Sequence, residues 1–185
     1  MKKTIIKPAC FGPVAVIWSQ NHDLPHIIRV LLSRPGFSAE EQAAELYPDA
    51  STASCAQIDA LIARIKSFLA GEKVRFSLQG LRWQQCSAFQ QAVLRAEYRI
   101  PRGSVSTYGR IAEHIGKNDA ARAVGAALAT NPFPLIIPCH RAIRSDGYPG
   151  GFQGGSEMKR ALLEQEGIVF DDRGRVSGAR FHFSL

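Results

Sequence analysis

A cysteine and a histidine stand side by side after a short apolar run, and together they could supply a nucleophile and a base. The run covers residues 135–137 (Leu-Ile-Ile), and Pro138, Cys139 and His140 follow it. It is short enough for a buried strand, so we expect Cys139 to lie at the end of one. A thiolate beside a proton-accepting group is a typical nucleophile. Taken alone, the pair also fits a small buried cysteine without a chemical role.

Two short helices are predicted just before this pair. Thr107 can cap the first, Gly116 ends it, and residues 117–119 make a tight turn. The second runs from about residue 120 to 130. Two short helices joined by a turn that contains glycine are typical of a helix-turn-helix.

The second of these helices is unusual for a segment that reads bases. Almost all its side chains are small, and Arg122 is the long one. A helix of small residues can approach a narrow minor groove closely, and arginine is the side chain that suits this groove. The alternative interpretation is a close-packed core helix with one surface arginine.

Asn131 and Glu166 are polar residues in constrained positions on either side of the cysteine. Pro132 keeps Asn131 out of helical geometry, so its amide could bridge the helix end to the segment that holds Cys139. Glu166 closes a last helix that Ser156 is expected to cap. An acid at that end opposes the helix dipole, which hints at a specific partner.

A glycine-rich loop precedes the last helix. Residues 147–155 contain five glycines together with Tyr148 and Phe152. Such a backbone can approach a ligand closely, and Phe152 offers a flat surface. A flexible linker is the alternative. Residues 168–185 are expected to form a short hairpin about residues 172–174.

The first part of the chain is predicted to be a small antiparallel sheet with two helices. Three β-branched runs between residues 4 and 33 indicate strands, with turns at residues 12–13 and 20–23. Ser38 and Glu41 make a capping box for a short helix. A second helix starts near Cys55 and ends at Gly71. Its apolar stripe consists of Ile58, Leu61, Ile62, Ile65, Phe68 and Leu69.

Composition narrows the classes of protein that the chain can belong to. Its 185 residues fit one or two domains, and no stretch is apolar enough for a membrane span or a signal peptide. The net charge is +7, and residues 80–185 carry 14 Lys and Arg against 9 Asp and Glu. This favours a polyanion such as nucleic acid, although a solvated basic surface is also compatible. The four cysteines lack a CxxC spacing, so we expect reduced thiols and no metal, with a site assembled in space as the alternative.

Several separated motifs, in order, resemble the O6-alkylguanine-DNA alkyltransferases, the methylated-DNA–protein-cysteine methyltransferases. The resemblance covers about residues 87–167. It rests on Thr107-Tyr108, Ala121-Arg122-Ala123-Val124-Gly125, Asn131-Pro132, Ile137-Pro138-Cys139-His140-Arg141, Gly150-Gly151-Phe152, Leu162-Leu163 and Glu166-Gly167.

The resemblance implies two domains: a small α/β N-terminal domain over residues 1–80, and a mostly α domain over residues 81–185 that carries a helix-turn-helix at about 106–130. It implies a DNA repair protein that flips O6-alkylguanine, and O4-alkylthymine as a further candidate, out of the duplex. The alkyl group would pass irreversibly to Cys139, once per molecule. No cofactor or metal would take part, and the protein would act as a cytoplasmic monomer (nuclear in a eukaryote) on the minor groove of double-stranded DNA, away from membranes.

Catalytic roles follow from the same resemblance. Cys139 would accept the alkyl group, and His140 would act on it as a base through a water molecule. Glu166 would orient His140, and Asn131 would brace the helix-turn-helix against the active site. A stacked base hides its O6 substituent, so the damaged nucleotide must leave the helix before the thiolate can reach it.

The implied DNA and pocket residues lie on both sides of the cysteine. Arg122 would fill the space that the flipped base leaves, and Tyr108 would contact the flipped guanine and its 3′ phosphate. The resemblance implies that the remaining DNA contacts come from Ala121, Ala123 and Gly125, and that Tyr108, Pro134, Ala142, Phe152 and Gln153 form the substrate pocket.

Three pocket positions depart from the pattern of the family. Ala142 replaces a larger aliphatic residue, Phe152 a frequent tyrosine, and Gln153 a frequent serine. They bear on the preferred alkyl size and on the rate. The alternatives to a transferase are a lesion-binding protein with little transfer, a helix-turn-helix regulator and a thiol protease. The regulator would need base-reading side chains on the second helix, which that helix lacks.

Overall fold

A computed structural model describes residues 1–8, 10–21 and 24–183. The chain is a mixture of helices and small sheets, which confirms the mixed α/β class predicted from the sequence. It forms two compact units, one of Met1–Trp83 with Pro132–Ile136 and one of Gln84–Asn131 with Ile137–Leu185. The division into domains at about residue 80 stays a prediction. Among the described residues, every helix is too short or too polar to cross a membrane.

The first unit contains a four-stranded sheet in the order β3-β2-β1-β4. Its strands are β1 (Lys2–Ile6), β2 (Val14–Asn21), β3 (Leu24–Leu32) and β4 (Ser51–Thr52). The first three pair antiparallel, as predicted, and β4 adds in parallel to β1. Residues 14–18 of β2 are all fully buried, which explains why the strand is a continuous apolar run. The predicted turn at residues 20–23 includes His22 and Asp23, which lie outside the described residues.

Two helices, α1 (Ala39–Leu46) and α2 (Ala56–Leu69), complete the first unit. The predicted capping box is confirmed, since the Ser38 side chain accepts from the Glu41 N–H and the Glu41 carboxylate accepts from the Ser38 N–H. Ala39 and Ala43 of α1 pack on the sheet. The predicted stripe of α2 is buried at Ile58, Ile65, Phe68 and Leu69, and half-buried at Leu61 and Ile62.

The second unit contains four helices, α3 (Ala88–Arg99), α4 (Tyr108–His114), α5 (Ala121–Ala129) and α6 (Gly155–Gln165). Ser87 and Thr107 cap α3 and α4 through their side chains, and the cap at Thr107 confirms the prediction from the sequence. The predicted cap at Ser156 is wrong. A tight turn, in which the Gly155 N–H donates to the Phe152 carbonyl, starts α6 at Gly155, with Gly154 as the N-cap and without a side-chain cap.

Short strands link the helices of the second unit. Two parallel pairings build a sheet in the order β6-β5-β9, from β5 (Ser104–Thr107), β6 (Ala142–Ile143) and β9 (Arg180–Phe181). The hairpin predicted near the end of the sequence is confirmed as β7 (Val169–Phe170) paired with β8 (Val176–Ser177). The pair β5–β6 fixes the chain directly after Cys139.

The apolar run before Cys139 is a turn, so the predicted strand is wrong. Leu135 has a φ of 70° in the left-handed region, which breaks an extended path. Cys139–Arg141 then form one turn of 3-10 helix. Residues 135–137 are apolar because they are buried, at 2% exposure or less, and not because they pair in a sheet.

Candidate active site

Cys139 is held inside the second unit by the tight turn that follows Pro138. Its backbone N–H donates to the Ile137 carbonyl at 2.8 Å, and its side chain is nearly excluded from solvent. Burial raises the pKa of the thiol to about 12, although a hydrogen bond from the Asn131 side chain acts in the opposite direction. At neutral pH the sulfur therefore carries its proton, and it needs a base to become a nucleophile.

His140 and Glu166 form a buried hydrogen-bonded pair. Nε2 of His140 lies 3.0 Å from Oε1 of Glu166, and both side chains are shielded from solvent. Burial lowers the pKa of His140, opposed by the hydrogen bond to Glu166, so the imidazole is neutral near pH 7. With Nε2–H donated to the carboxylate, Nδ1 is the basic nitrogen of the neutral ring. The pair is built to accept a proton.

Arg141 fixes the other side of the Glu166 carboxylate. Its Nε donates to Oε2 at 2.8 Å and its Nη2 to Oε1 at 2.7 Å, while Nη1 donates to the Ile100 carbonyl at 2.6 Å. Burial alone would raise the pKa of Glu166, but hydrogen bonds from His140 and Arg141 outweigh it and lower that pKa to about 2. The unfavourable position of this acid at the end of α6 is thus offset by two partners.

Asn131 connects the end of α5 with the cysteine turn. Its side-chain Nδ2 donates to the Ile137 carbonyl at 3.3 Å, and its backbone carbonyl accepts from Nε2 of Gln153 at 2.5 Å. Together with the hydrogen bond to the Cys139 thiol, these contacts tie together a helix end, the cysteine and the glycine-rich loop. Asn131 is 1% exposed.

Tyr108 and Phe152 lie beside this group. Tyr108 is the first residue of α4 and is half-buried; burial raises its pKa, and the charges of Glu97 and Cys139 add to the effect. A Cβ at Gly150, whose φ is 73°, would come within 2.7 Å of the Tyr108 hydroxyl. The ring of Phe152 meets the His140 ring edge-on, with 6.2 Å between centroids. The glycine therefore allows the loop to pack onto the tyrosine.

The other predicted pocket residues are placed differently from one another. Ala142 is fully buried in β6, where it pairs with Ser106. The side-chain amide of Gln153 donates a hydrogen bond to the backbone carbonyl of Asn131. Pro134 is buried in the segment Pro132–Ile136 of the first unit, and its part in the pocket stays a prediction.

Helix α5 presents its small residues and one arginine to solvent. Arg122 and Ala123 are exposed, Ala121 is half-buried, and a Cβ added at Gly125 would meet no atom within 4 Å. The buried face consists of Val124, Ala127 and Leu128. The outer surface of α5 is therefore smooth apart from the Arg122 side chain.

Three charged residues of the site were missed in the sequence: Arg141, Glu97 and Lys159. Glu97 and Lys159 are both fully buried. A signal existed, because Glu97 stands three residues after Leu94 on the apolar stripe of α3, and Lys159 stands three residues before Leu162 on that of α6. A charged residue on a buried stripe is the kind of exception that marks a site.

Part of the chain matches a known protein family and several curated proteins. Residues 88–168 match the family described as 6-O-methylguanine DNA methyltransferase, DNA binding domain. The methylated-DNA–protein-cysteine methyltransferase of Methanothermobacter thermautotrophicus is 47% identical over 114 residues, 62% of this chain and 64% of that protein. The protein of the same name from Haemophilus influenzae is 48% identical over 88 residues, 48% of this chain and 49% of that protein. The match spans less than two thirds of the length of these curated relatives.

Solved structures extend the likeness to most of the chain. The O6-methylguanine methyltransferase of Mycobacterium tuberculosis is 31% identical, with a TM-score of 0.70, and the match covers 89% of this chain and 92% of that one. A structure of Mycobacterium tuberculosis OGT in complex with DNA gives 30% identity and a TM-score of 0.67, over 90% of this chain and 92% of that one.

Proposed function

The chain belongs to the O6-methylguanine DNA methyltransferase family, and we propose that it repairs O6-alkylguanine in DNA by moving the alkyl group onto its own Cys139. The observation that carries the proposal is the buried thiol next to a hydrogen-bonded acid–base group, with His140 bound to Glu166 at 3.0 Å. The relatives support it through their names, and the Mycobacterium tuberculosis protein through its complex with DNA.

The base is His140, and it acts on the thiol through a water molecule. Successive residues of a 3-10 helix point about 120° apart, so the Cys139 and His140 side chains diverge. The thiol proton passes to the imidazole, and Glu166 stabilises the imidazolium that forms.

The thiolate then attacks the alkyl carbon. A sulfur–carbon bond forms, the bond between that carbon and O6 breaks, and its electron pair returns to the guanine, which takes up a proton. The product is a thioether on Cys139. No step of this sequence restores the thiol, so each molecule reacts once, as a reagent and not as a turnover catalyst.

DNA reaches the site through α4 and α5, which we interpret as a helix-turn-helix. The smooth surface of α5, with Ala121, Ala123 and Gly125, fits the minor groove, and Arg122 occupies the gap left by the flipped nucleotide. Flipping costs a few kcal/mol, less for a weakened pair, so a side chain that fills the gap lowers the cost.

The flipped base lies among Tyr108, Ala142, Phe152 and Gln153. The ring of Phe152 meets the His140 ring edge-on, so the aromatic side of this pocket adjoins the proposed base. We further propose that residues 1–80 and 81–185 are separate domains and that the protein acts as a cytoplasmic monomer.

Intact-protein mass after mixing with a duplex that carries one O6-methylguanine tests the proposal. We expect a gain of one methyl group per protein, located by peptide mapping on the Cys139 peptide. Cys139→Ser should gain none, and Cys10→Ser, which removes an exposed thiol, should gain as much as the native protein. Tight binding of the duplex without a mass change would instead identify a lesion-binding protein.

A further inference from the structure

Helix α3 places a carboxyl group in the interior of the second unit. Glu97 is 0% exposed, and neither carboxyl oxygen makes a hydrogen bond of ordinary geometry among the described residues. The backbone N–H of Ala142 faces the group and weakly favours its charged form. A buried acid without hydrogen bonds costs free energy, so its retention calls for an explanation.

Lys159 is a second buried charge close to the same place. Its Nζ donates to the Ala142 carbonyl at 2.7 Å and to the Gly151 carbonyl at 3.2 Å, and its side chain is fully buried. Electrostatic interactions link Lys159 to Glu97 and to Cys139, and link Glu97 to Cys139 as well. The three groups therefore share one low-dielectric environment.

Other charged groups complete this environment. Arg141 of the cysteine turn and Tyr108 of α4 both interact with Glu97. The other buried acid of the site, Glu166 at the end of α6, is already hydrogen-bonded to His140 and Arg141. Glu97 is thus the acid of the site whose charge is not committed to a hydrogen-bonded partner within the described residues.

We infer that Glu97 is a positioning residue that sets the reactivity of the acceptor thiol: as a neutral acid it permits the Cys139 thiolate, and as a carboxylate it opposes it. The thiol proton goes to His140, and Glu97 keeps its own proton throughout. Lys159 acts in the opposite sense, because its ammonium group stabilises the thiolate. The inference rests on the proposed function only in naming Cys139 as the acceptor.

Because Glu97 and Lys159 are both buried, each changes its charge near physiological pH. Burial raises the pKa of Glu97 to about 8 and lowers the pKa of Lys159 to about 8. Below that pH the pair is a neutral acid with an ammonium group, and above it the pair becomes a carboxylate with an amine. A buried thiol alone gains reactivity steadily as the pH rises, whereas this pair opposes that gain in alkaline solution.

Alkylation of Cys139 by iodoacetamide between pH 6 and 9.5, followed by peptide mass mapping, tests the inference on the full-length protein. A like charge that interacts with a buried group shifts the pKa of that group by about one unit or more. We therefore expect Glu97→Gln to react within about twofold of the native protein at pH 6.5 and about tenfold faster at pH 9. The exposed acid Glu157 of α6 provides the matched control, because Glu157→Gln removes the same charge. Identical pH profiles for Glu97→Gln and the native protein would overturn the inference.

A second variant keeps the test decisive if Glu97→Gln does not fold. Lys159→Met should slow the iodoacetamide reaction of Cys139 at pH 7 by about tenfold, with the folded state checked by circular dichroism. An unchanged rate in a folded Lys159→Met protein would also contradict the inference. Because iodoacetamide needs no DNA, these outcomes are independent of whether the protein removes alkyl groups from guanine.

Discussion

The proposed acceptor, Cys139, is a thiol that is protonated at rest, because burial raises its pKa to about 12. Most nucleophilic cysteines are activated by a lowered pKa. In the proposed mechanism, Cys139 ionises only when its proton passes to the neutral imidazole of His140 in the same turn. We therefore expect the buried, protonated thiol to react slowly with other electrophiles.

Replacing His140 by glutamine should slow methyl transfer by about 10²- to 10⁴-fold, because the base that receives the thiol proton is lost. The rate is measured in a single turnover, as the appearance of methylated Cys139 peptide with time. His26→Gln, in the first unit, is the control and should react at the native rate. A loss of less than about fivefold would remove His140 from the role of base.

Acid should reveal the contribution of Glu166 to stability. Its pKa in the folded protein, about 2, lies below the ordinary value of 4.5, so its stabilising effect is present above about pH 4.5 and is lost as the pH falls through 2. Glu166→Gln leaves Arg141 buried without its anionic partner and should cost about 3 to 5 kcal/mol at pH 7. Urea unfolding should show a larger difference between native and variant proteins at pH 7 than at pH 3, where part of the contribution has been lost.

At the scale of elements, α5 combines a buried apolar face with an exposed face of small side chains and one arginine. Such a surface suits close approach to a groove, and the arginine gives it a single reaching group. The proposed DNA contact and the proposed chemistry lie on different elements, so a substitution on α5 can test the first separately from the second.

Arg122→Ala should weaken repair of O6-methylguanine in duplex DNA by about tenfold or more, while the reaction with the free base O6-benzylguanine stays within twofold. The duplex reaction loses a side chain that supports base flipping, whereas the free base needs no flipping. Arg173→Ala removes the same charge from an exposed turn and serves as the control. Equal losses on duplex and free base would contradict the role in flipping.

The elements also show what the sequence could predict. Capping residues at Ser38 and Thr107 predicted two helix starts correctly, because their side chains bond locally to the backbone. Residues 135–137 were mistaken for a strand, since a short apolar run records burial and not backbone conformation. The predicted cap at Ser156 is wrong because the preceding glycines turn the chain earlier, so that the N-cap is Gly154, two residues before Ser156.

The sequence predicted the site residues that belong to motifs of a known family. It did not predict the buried charged residues whose role depends on neighbours in the folded protein. Cys139, His140 and Glu166 lie together, and Asn131 bonds to the cysteine turn, as the resemblance implied. Glu97 and Lys159 were missed because each looks like an isolated exception on its own helix. Their meaning arises only when α3 and α6 bring them to the same place.

On the scale of the whole molecule, the net charge of +7 should make DNA binding strongly salt-dependent. Each phosphate neutralised contributes about −0.9 to the slope of log K against log salt concentration. We expect a linear decrease in titrations between 50 and 300 mM NaCl, and a slope about one unit smaller if an arginine that contacts a phosphate is removed. Binding that does not change with salt would argue against a backbone-dominated interface.

The free energy of unfolding should also depend on the protonation of Glu97. Its pKa in the folded protein, about 8, is above 4.5, so the folded state holds the proton more tightly than the unfolded chain. The resulting contribution is fully present below pH 4.5 and lost as the pH rises through 8. Glu97→Leu should therefore gain about 2 to 5 kcal/mol at pH 9 relative to the native protein. Urea unfolding at pH 5 and pH 9 measures this, and an equal effect at both values would contradict it.

The first compact unit is discontinuous along the chain, because Pro132–Ile136 belongs to it while the residues on both sides belong to the second unit. The Val30 N–H donates to the Pro132 carbonyl at 2.8 Å, so β3 obtains a partner from a segment one hundred residues later. During translation the first compact unit can therefore not be completed until Pro132–Ile136 has left the ribosome, by which time α3, α4 and α5 have already been synthesised. A fragment that ends at Trp83 lacks Pro132, so it cannot form the hydrogen bond from the Val30 N–H under any refolding conditions.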